Sequence, residues 1–174
     1  MIDVLACVDV FYEDSRARAA CVVFENWHSG TAAYTLVRQF SNVAEYESGN
    51  FFRRELPCLV GILDQLQEPP DAVLIDGYVW LDPDGRPGLG AHLFDALRRT
   101  TPVIGVAKSA FRGAPAVEVL RGQSKTPLYV TAAGVDVDRA AENIRSMNGA
   151  HRIPTLLRLA DQLSRNTGAL AVRH

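Results

Sequence analysis

Ala72-Val73-Leu74-Ile75-Asp76-Gly77 is an apolar run that ends on an acid and a glycine. Four apolar residues in a row present no polar face to water, so the segment reads as a short strand buried on both faces, as in parallel sheets. Upstream, Phe52, Leu56, Leu59, Val60, Leu63 and Leu66 recur at helical spacing within Phe51–Leu66, and Pro69-Pro70 closes that helix. Pro57 inside it is expected to bend the helix or mark an early turn. Before the helix, Val4–Val10, Ala17–Phe24 and Ala32–Phe40 read as strands. The short links Glu13–Ser15 and Asn26–Gly30 predict consecutive antiparallel hairpins.

Downstream, Tyr78–Leu89 is a loop rich in Gly and Pro, followed by a helix over Gly90–Arg99 and an apolar strand over Val103–Ala107. Leu128–Thr131 reads as the last strand. A helix follows Asp138, which is expected to be its N-cap, and another spans Pro154–Ser164 before a frayed end. The order predicts one α/β domain over residues 1–174, with a mixed sheet that is antiparallel at its start and parallel in its continuation.

The 174 residues carry a net charge of -2, with 48% hydrophobic and 22% charged residues. That balance gives no global signal for nucleic acid or an anionic membrane, so polyanion binding must come from a local basic surface. No apolar run is long enough to span a bilayer, and no membrane partner is expected. Cys7, Cys21 and Cys58 are far apart in apolar surroundings, with no CxxC pair to suggest zinc. An odd number of such thiols, and an N-terminus without a basic segment, predict a cytoplasmic protein. The absence of GxGxxG and GxxxxGK[ST] weighs against a nucleotide-cofactor binder.

Three carboxylates stand out. Asp9 interrupts the first strand, Asp76 ends the fourth, and Glu55 sits in the first turns of the intervening helix. If the first and fourth strands are neighbours, Asp9 and Asp76 face each other at the carboxyl ends of strands, where α/β sheets collect ligands. Two such acids repel unless a cation neutralises them, and an all-oxygen set suits Mg²⁺ or Mn²⁺, ions that promote phosphodiester displacement. An Asp before Gly also serves as a turn former, and a first-turn Glu also answers the helix dipole.

The chain resembles the endonuclease V family through ordered segments. Cys7–Tyr12 resembles its DVxY motif, Gly49–Glu55 its PGFxxFRE segment, Ala72–Gly77 its LVDGxG motif, and Pro102–Ser109 its PTIGVAKS motif. Gly88–Leu93, Pro127–Thr131 and Arg152–Asp161 resemble its GLASHLG, KPLYVS and RLPEPxRxAD stretches. The resemblance implies a ribonuclease-H-like fold and a metal-dependent endonuclease that cleaves DNA or RNA near deoxyinosine or inosine, a function in DNA repair. Asp9 and Asp76 would hold the metal, Glu55 would complete the site, and Lys108 would orient the scissile phosphate. Gly49, Phe51, Gly77 and Phe111, with Ser109 beside them, fall where the family forms the pocket for an extruded base. Tyr46 falls at its strand-separating tyrosine. A monomer is expected.

The departures are local. The family's PYIP wedge is Glu45-Tyr46-Glu47-Ser48, its HPR motif is Asp82-Pro83-Asp84, and the histidine of its GHR motif is Val135. Asp136 is expected to substitute as an oxygen ligand there. His151 reads as structural, and His92 as packing at the start of its helix or supporting the site from behind. Arg98, Arg99, Lys108, Arg112, Arg121 and Lys125 form a positive stretch that fits a groove along a phosphate backbone, or a solvated mixed surface. The alternative function is a non-catalytic or altered-specificity nucleic-acid-binding relative on the same fold.

Overall fold

In a computed structural model of the chain, residues 3–41, 43–45, 47, 48, 50 and 52–165 are described. Tyr46, Gly49 and Phe51 lie outside the described residues. The elements run β1 (Leu5–Glu13), β2 (Arg16–Phe24), β3 (Tyr34–Phe40), α1 (Phe52–Leu63), β4 (Ala72–Asp76), α2 (Leu89–Ala96), β5 (Val103–Ala107), β6 (Val117–Val119), β7 (Leu128–Ala133), α3 (Val137–Ser146) and α4 (Thr155–Arg165).

One seven-stranded sheet has the order β3-β2-β1-β4-β5-β7-β6. β1 and β2 form an antiparallel hairpin in which Glu13 pairs with Arg16. Asp14 in its turn takes the left-handed conformation (φ 55°) that a short polar side chain tolerates. β1 pairs parallel with β4, and β4 parallel with β5, as the buried apolar runs predict.

Alternate residues of the central strands feed two cores. Ala6, Val8, Val73 and Ile75 pack with Cys58, Leu59 and Ile62 of α1 and Leu89, Ala91 and Leu93 of α2. Leu5, Cys7, Leu74, Ile104 and Val106 pack with Ala140 and Ile144 of α3 and Leu156 and Ala160 of α4. The same alternation carries Asp9, Asp76 and Lys108, each in step with its strand, onto the α4 side of the sheet.

Two expectations change in detail, and the one for Pro57 keeps its early-turn alternative. β7 runs antiparallel to β5 rather than continuing the parallel series. The reason is the connection: the 20 residues between β5 and β7 hold β6 and turns but no crossover helix to return the chain to the sheet's other end. α1 runs unbroken through Pro57, which lies exposed in its second turn, where the missing bond would have gone to the carbonyl of Arg53 near the helix start. The N-cap of α3 is Asp136, whose Oδ1 accepts the Arg139 amide at 2.9 Å, and Asp138 lies in the first turn.

Candidate active site

At the carboxyl ends of β4 and β5 and midway along β1, Asp76, Lys108 and Asp9 line one cavity with Asp161 of α4. Two glycines shape the approach. Gly77 turns the chain out of β4 with φ 129°, a region that side chains disfavour. Gly105 of β5 has no Cβ to collide with the Gly77 carbonyl, which would otherwise lie 2.4 Å away. The turn is then fixed by the Val79 amide, which donates to Thr131 Oγ1 at 2.8 Å.

Asp9 is the half-buried centre of the group. Ser164, wholly buried in α4, donates from Oγ to Asp9 Oδ2 at 3.0 Å. Burial first, and then the charge of Asp76, push the Asp9 carboxyl up to about 6 despite that bond. The neighbouring Asp161 adds to the upward push on Asp9. Burial opposes ionisation of Asp161. The hydrogen bond and charge of Arg165, whose Nε lies 2.8 Å from Asp161 Oδ1, outweigh it with help from Lys108 and hold Asp161 below the carboxylate range.

Glu55 in α1 belongs to the same electrostatic group. Burial, then the charges of Asp9 and Asp76, push it up to about 7. Lys108 Nζ donates to Asp76 Oδ2 at 3.1 Å. Its backbone is pinned as well, because Arg152 Nη2 donates to the Lys108 carbonyl and, at 2.8 Å, to that of Pro127.

Among the described residues no three His, Cys, Asp or Glu side chains converge closely enough to enclose a cation. The donor chemistry nonetheless suits one. Three carboxylates line one cavity, and burial together with the charges of Asp9 and Asp76 pushes Glu55 up beside them, an oxygen-only group whose repulsion a divalent ion would relieve. Asp9, Asp76 and Asp161 are the residues that such an ion would draw together, with Glu55 at the margin.

Beside the cluster, Tyr78 Oη donates to the Ser109 carbonyl at 2.7 Å and accepts the Phe111 amide at 2.9 Å. The Tyr78 and Phe111 rings are 5.9 Å apart, and Phe111 is 44% exposed. Gly77, Ser109 and Phe111 are thus brought together next to Asp76. His92 stacks on Phe52 with ring centroids 3.8 Å apart. Asp82 is a turn former, its Oδ1 accepting the amides of Asp84 and Arg86 at 3.0 and 2.9 Å.

Asp136 is not brought into the group. It follows β7, whose last residue, Ala133, pairs with Val103 at the start of β5, so it caps α3 at the end of the sheet opposite Lys108. The acid that meets Asp9 is Asp161, and its signal was available. At helical spacing Leu156, Ala160 and Ser164 form the buried stripe of α4, and an acid adjoining that stripe beside a buried hydroxyl is out of place in a core helix. The expected basic stretch is also divided: Arg121 is 5% exposed and engaged inside the fold, and Arg99 pairs with Asp95 at the far end of α2.

A family model described as Endonuclease V matches residues 1–128. The endonuclease V of Streptomyces avermitilis is 35% identical over 185 aligned residues, which cover 91% of this chain and 77% of the relative. The catalytic domain of human endonuclease V superposes with a TM-score of 0.79 at 25% identity, over 94% of this chain and 81% of that one. Ciona intestinalis endonuclease V, solved in complex with a 24mer DNA containing an inosine followed by a ribo-adenosine, gives a TM-score of 0.80 at 20% identity, over 94% and 84%. The mixed sheet with flanking helices is therefore the ribonuclease-H-like fold.

Proposed function

Because the chain belongs to the endonuclease V family, we propose that it is a divalent-cation-dependent nuclease that hydrolyses a phosphodiester near deoxyinosine, inosine or another altered base in DNA or RNA. The observation that carries this reading is the meeting of Asp9, Asp76 and Asp161 with Lys108 in one cavity, beside the middle of β1 and the carboxyl ends of β4 and β5. The Ciona relative bound to inosine-containing DNA supports the substrate class.

A bound Mg²⁺ or Mn²⁺ would lower the pKa of water and offset charge on the phosphoryl oxygens. Asp9, Asp76 and Asp161 would hold that ion. Ser164 keeps one oxygen of Asp9 oriented. Lys108, released from Asp76, donates from Nζ to a non-bridging oxygen of the phosphodiester, where negative charge grows during displacement. Glu55, on the α1 side of the cluster, accepts a hydrogen bond from water and helps orient it. Gly77, Ser109 and Phe111 receive the altered base beside Asp76, the tilted Tyr78 and Phe111 rings giving it apolar walls.

The family's histidine motif is lost at Val135, at the sheet's opposite end, whereas Asp161 supplies an oxygen ligand beside Asp9. That placement favours the catalytic reading over a binding-only relative. The test is cleavage of labelled inosine-containing and unmodified DNA and RNA, single- and double-stranded, with Mg²⁺, Mn²⁺ or EDTA. Cation-dependent cleavage that Asp9→Asn and Asp76→Asn abolish is expected. Inactivity on all substrates with tight inosine binding would leave the binding-only reading in its place.

A further inference from the structure

A second cleft opens beside the acidic centre, between the turn after β6 and the start of α4. Gln123, Ser124, His151, Arg152, Ile153 and Arg158 line it, and its volume is about 570 Å³. Ile153 also lines the cavity that holds Asp9, Asp76, Lys108 and Asp161, so the two are neighbours. Among the described residues no carboxylate lines the cleft.

The charge behind this cleft is uncompensated. Arg121, 5% exposed, donates to the carbonyls of Arg145, Met147, Gly149, His151 and Arg152, and to no acid. Arg152 donates to the carbonyls of Lys108 and Pro127, and its Nε is sealed from solvent without an acceptor. Arg158, on the exposed side of α4, takes part in none of the ion pairs among the described residues. Asp161, one turn further along that helix, is engaged by Arg165. Neutral carbonyls satisfy the donors of Arg121 and Arg152 but leave their charge, and in a partly dry wall that charge projects into the cleft. The same knot fixes the link between α3 and α4, so the positive wall is rigidly placed against the carboxylate cavity.

We propose that this cleft seats a phosphodiester of the bound nucleic-acid strand, outside the bond that is cleaved. The inference rests on the nuclease reading and extends it: Arg158 meets the phosphate directly, while Arg121 and Arg152 set the potential that draws it in. Guanidinium geometry matches phosphate oxygens, and such a contact strengthens binding without regard to base sequence.

The test measures binding of fluorescent 20-mers, with and without inosine, across a series of salt concentrations in Ca²⁺. Cleavage in Mg²⁺ or Mn²⁺ is measured at saturating substrate. Arg158→Ala is expected to weaken binding several-fold for both oligonucleotides and to reduce the slope of log K against log salt by about 0.7–0.9, one phosphate contact. Gln123→Glu, which adds an acid to the cleft from an exposed turn, should weaken binding similarly. Arg139→Ala, removing the same charge from the far end of the sheet, should alter affinity less than twofold. Arg158→Ala and Gln123→Glu binding with wild-type affinity and salt slope, in a protein that still cleaves, would overturn the cleft while sparing the nuclease reading. A wild-type chain that binds no oligonucleotide would overturn both.

Discussion

Replacing Asp9 by Asn removes a charge that the fold holds unfavourably, and the size of that cost follows from its surroundings. Burial and the neighbouring Asp76 raise the Asp9 carboxyl from 3.8 to about 6. At about 1.4 kcal/mol for each pH unit, a shift of that size corresponds to roughly 3 kcal/mol when Asp9 is ionised. Asp9 is only partly buried, so screening reduces this to about 1–2 kcal/mol. The sign is fixed by linkage. A raised carboxyl binds more protons folded than unfolded, so stability falls as pH rises from about 4 through 6 and is flat above. Glu55, raised from 4.5 to about 7, extends the decline to neutrality. Asn keeps an oxygen to accept from Ser164, so Asp9→Asn removes the charge with little loss of packing. In EDTA at pH 8 the variant should melt about 2–8 °C above wild type, given roughly 2–4 °C per kcal/mol at this chain length. Its advantage should shrink towards pH 5. Mg²⁺ or Mn²⁺ should raise the wild-type midpoint at pH 8 and leave that of the variant nearly unmoved. A midpoint in EDTA that climbs from pH 5 to 8, or an Asn variant that melts lower at pH 8, would refute the account of the site as a strained acid cluster.

Lys108→Met should lower the cleavage rate by about 10²–10³, the range for losing one donor to developing charge, while the midpoint shift caused by Mn²⁺ persists. Asp136→Ala should cost about 1 kcal/mol through loss of the α3 cap, read by urea unfolding, with cleavage unchanged; a rate loss beyond tenfold would restore Asp136 to the site. Gly105→Ala places a Cβ 2.4 Å from the Gly77 carbonyl and should cost about 1–3 kcal/mol. Because it shifts the turn after Asp76, it should also reduce cleavage in the protein that remains folded.

Much of the fold was legible because burial writes itself into residue type. Ala72–Ile75 and Val103–Ala107 are covered by helices on both faces, and each is apolar throughout. The polar interruptions at Asp9 and Asp76 were legible for the same reason, since an acid among buried neighbours needs a partner. β6 was not, because three residues, Val117–Val119, beside an exposed Leu120 carry too little periodicity to separate a strand from a turn. Tyr78 was missed as a support of the site. Its hydroxyl reaches Ser109 and Phe111 across 31 and 33 residues, a separation that no local pattern records.

The fourth acid shows how strand direction governs the choice of site residue. Asp136 follows the last strand, and Asp161 follows it by a further helix, so sequence distance favours Asp136 as the partner of Asp9. Had β7 been parallel to β5, Asp136 would stand at the end where Lys108 stands. With no helix between Lys108 and Leu128 to carry the chain back, β7 starts at that end, with Tyr129 opposite Ala107, and finishes at the other. α3 then starts at the far end and spends Asp136 on its own N-terminal amides. α4, lying across β1 and β2, returns to the site, and its second turn places Asp161 beside Asp9 with Ser164 one turn on. The acid had to come from the element that packs over β1, and only α4 meets that condition on the face to which Asp9, Asp76 and Lys108 point.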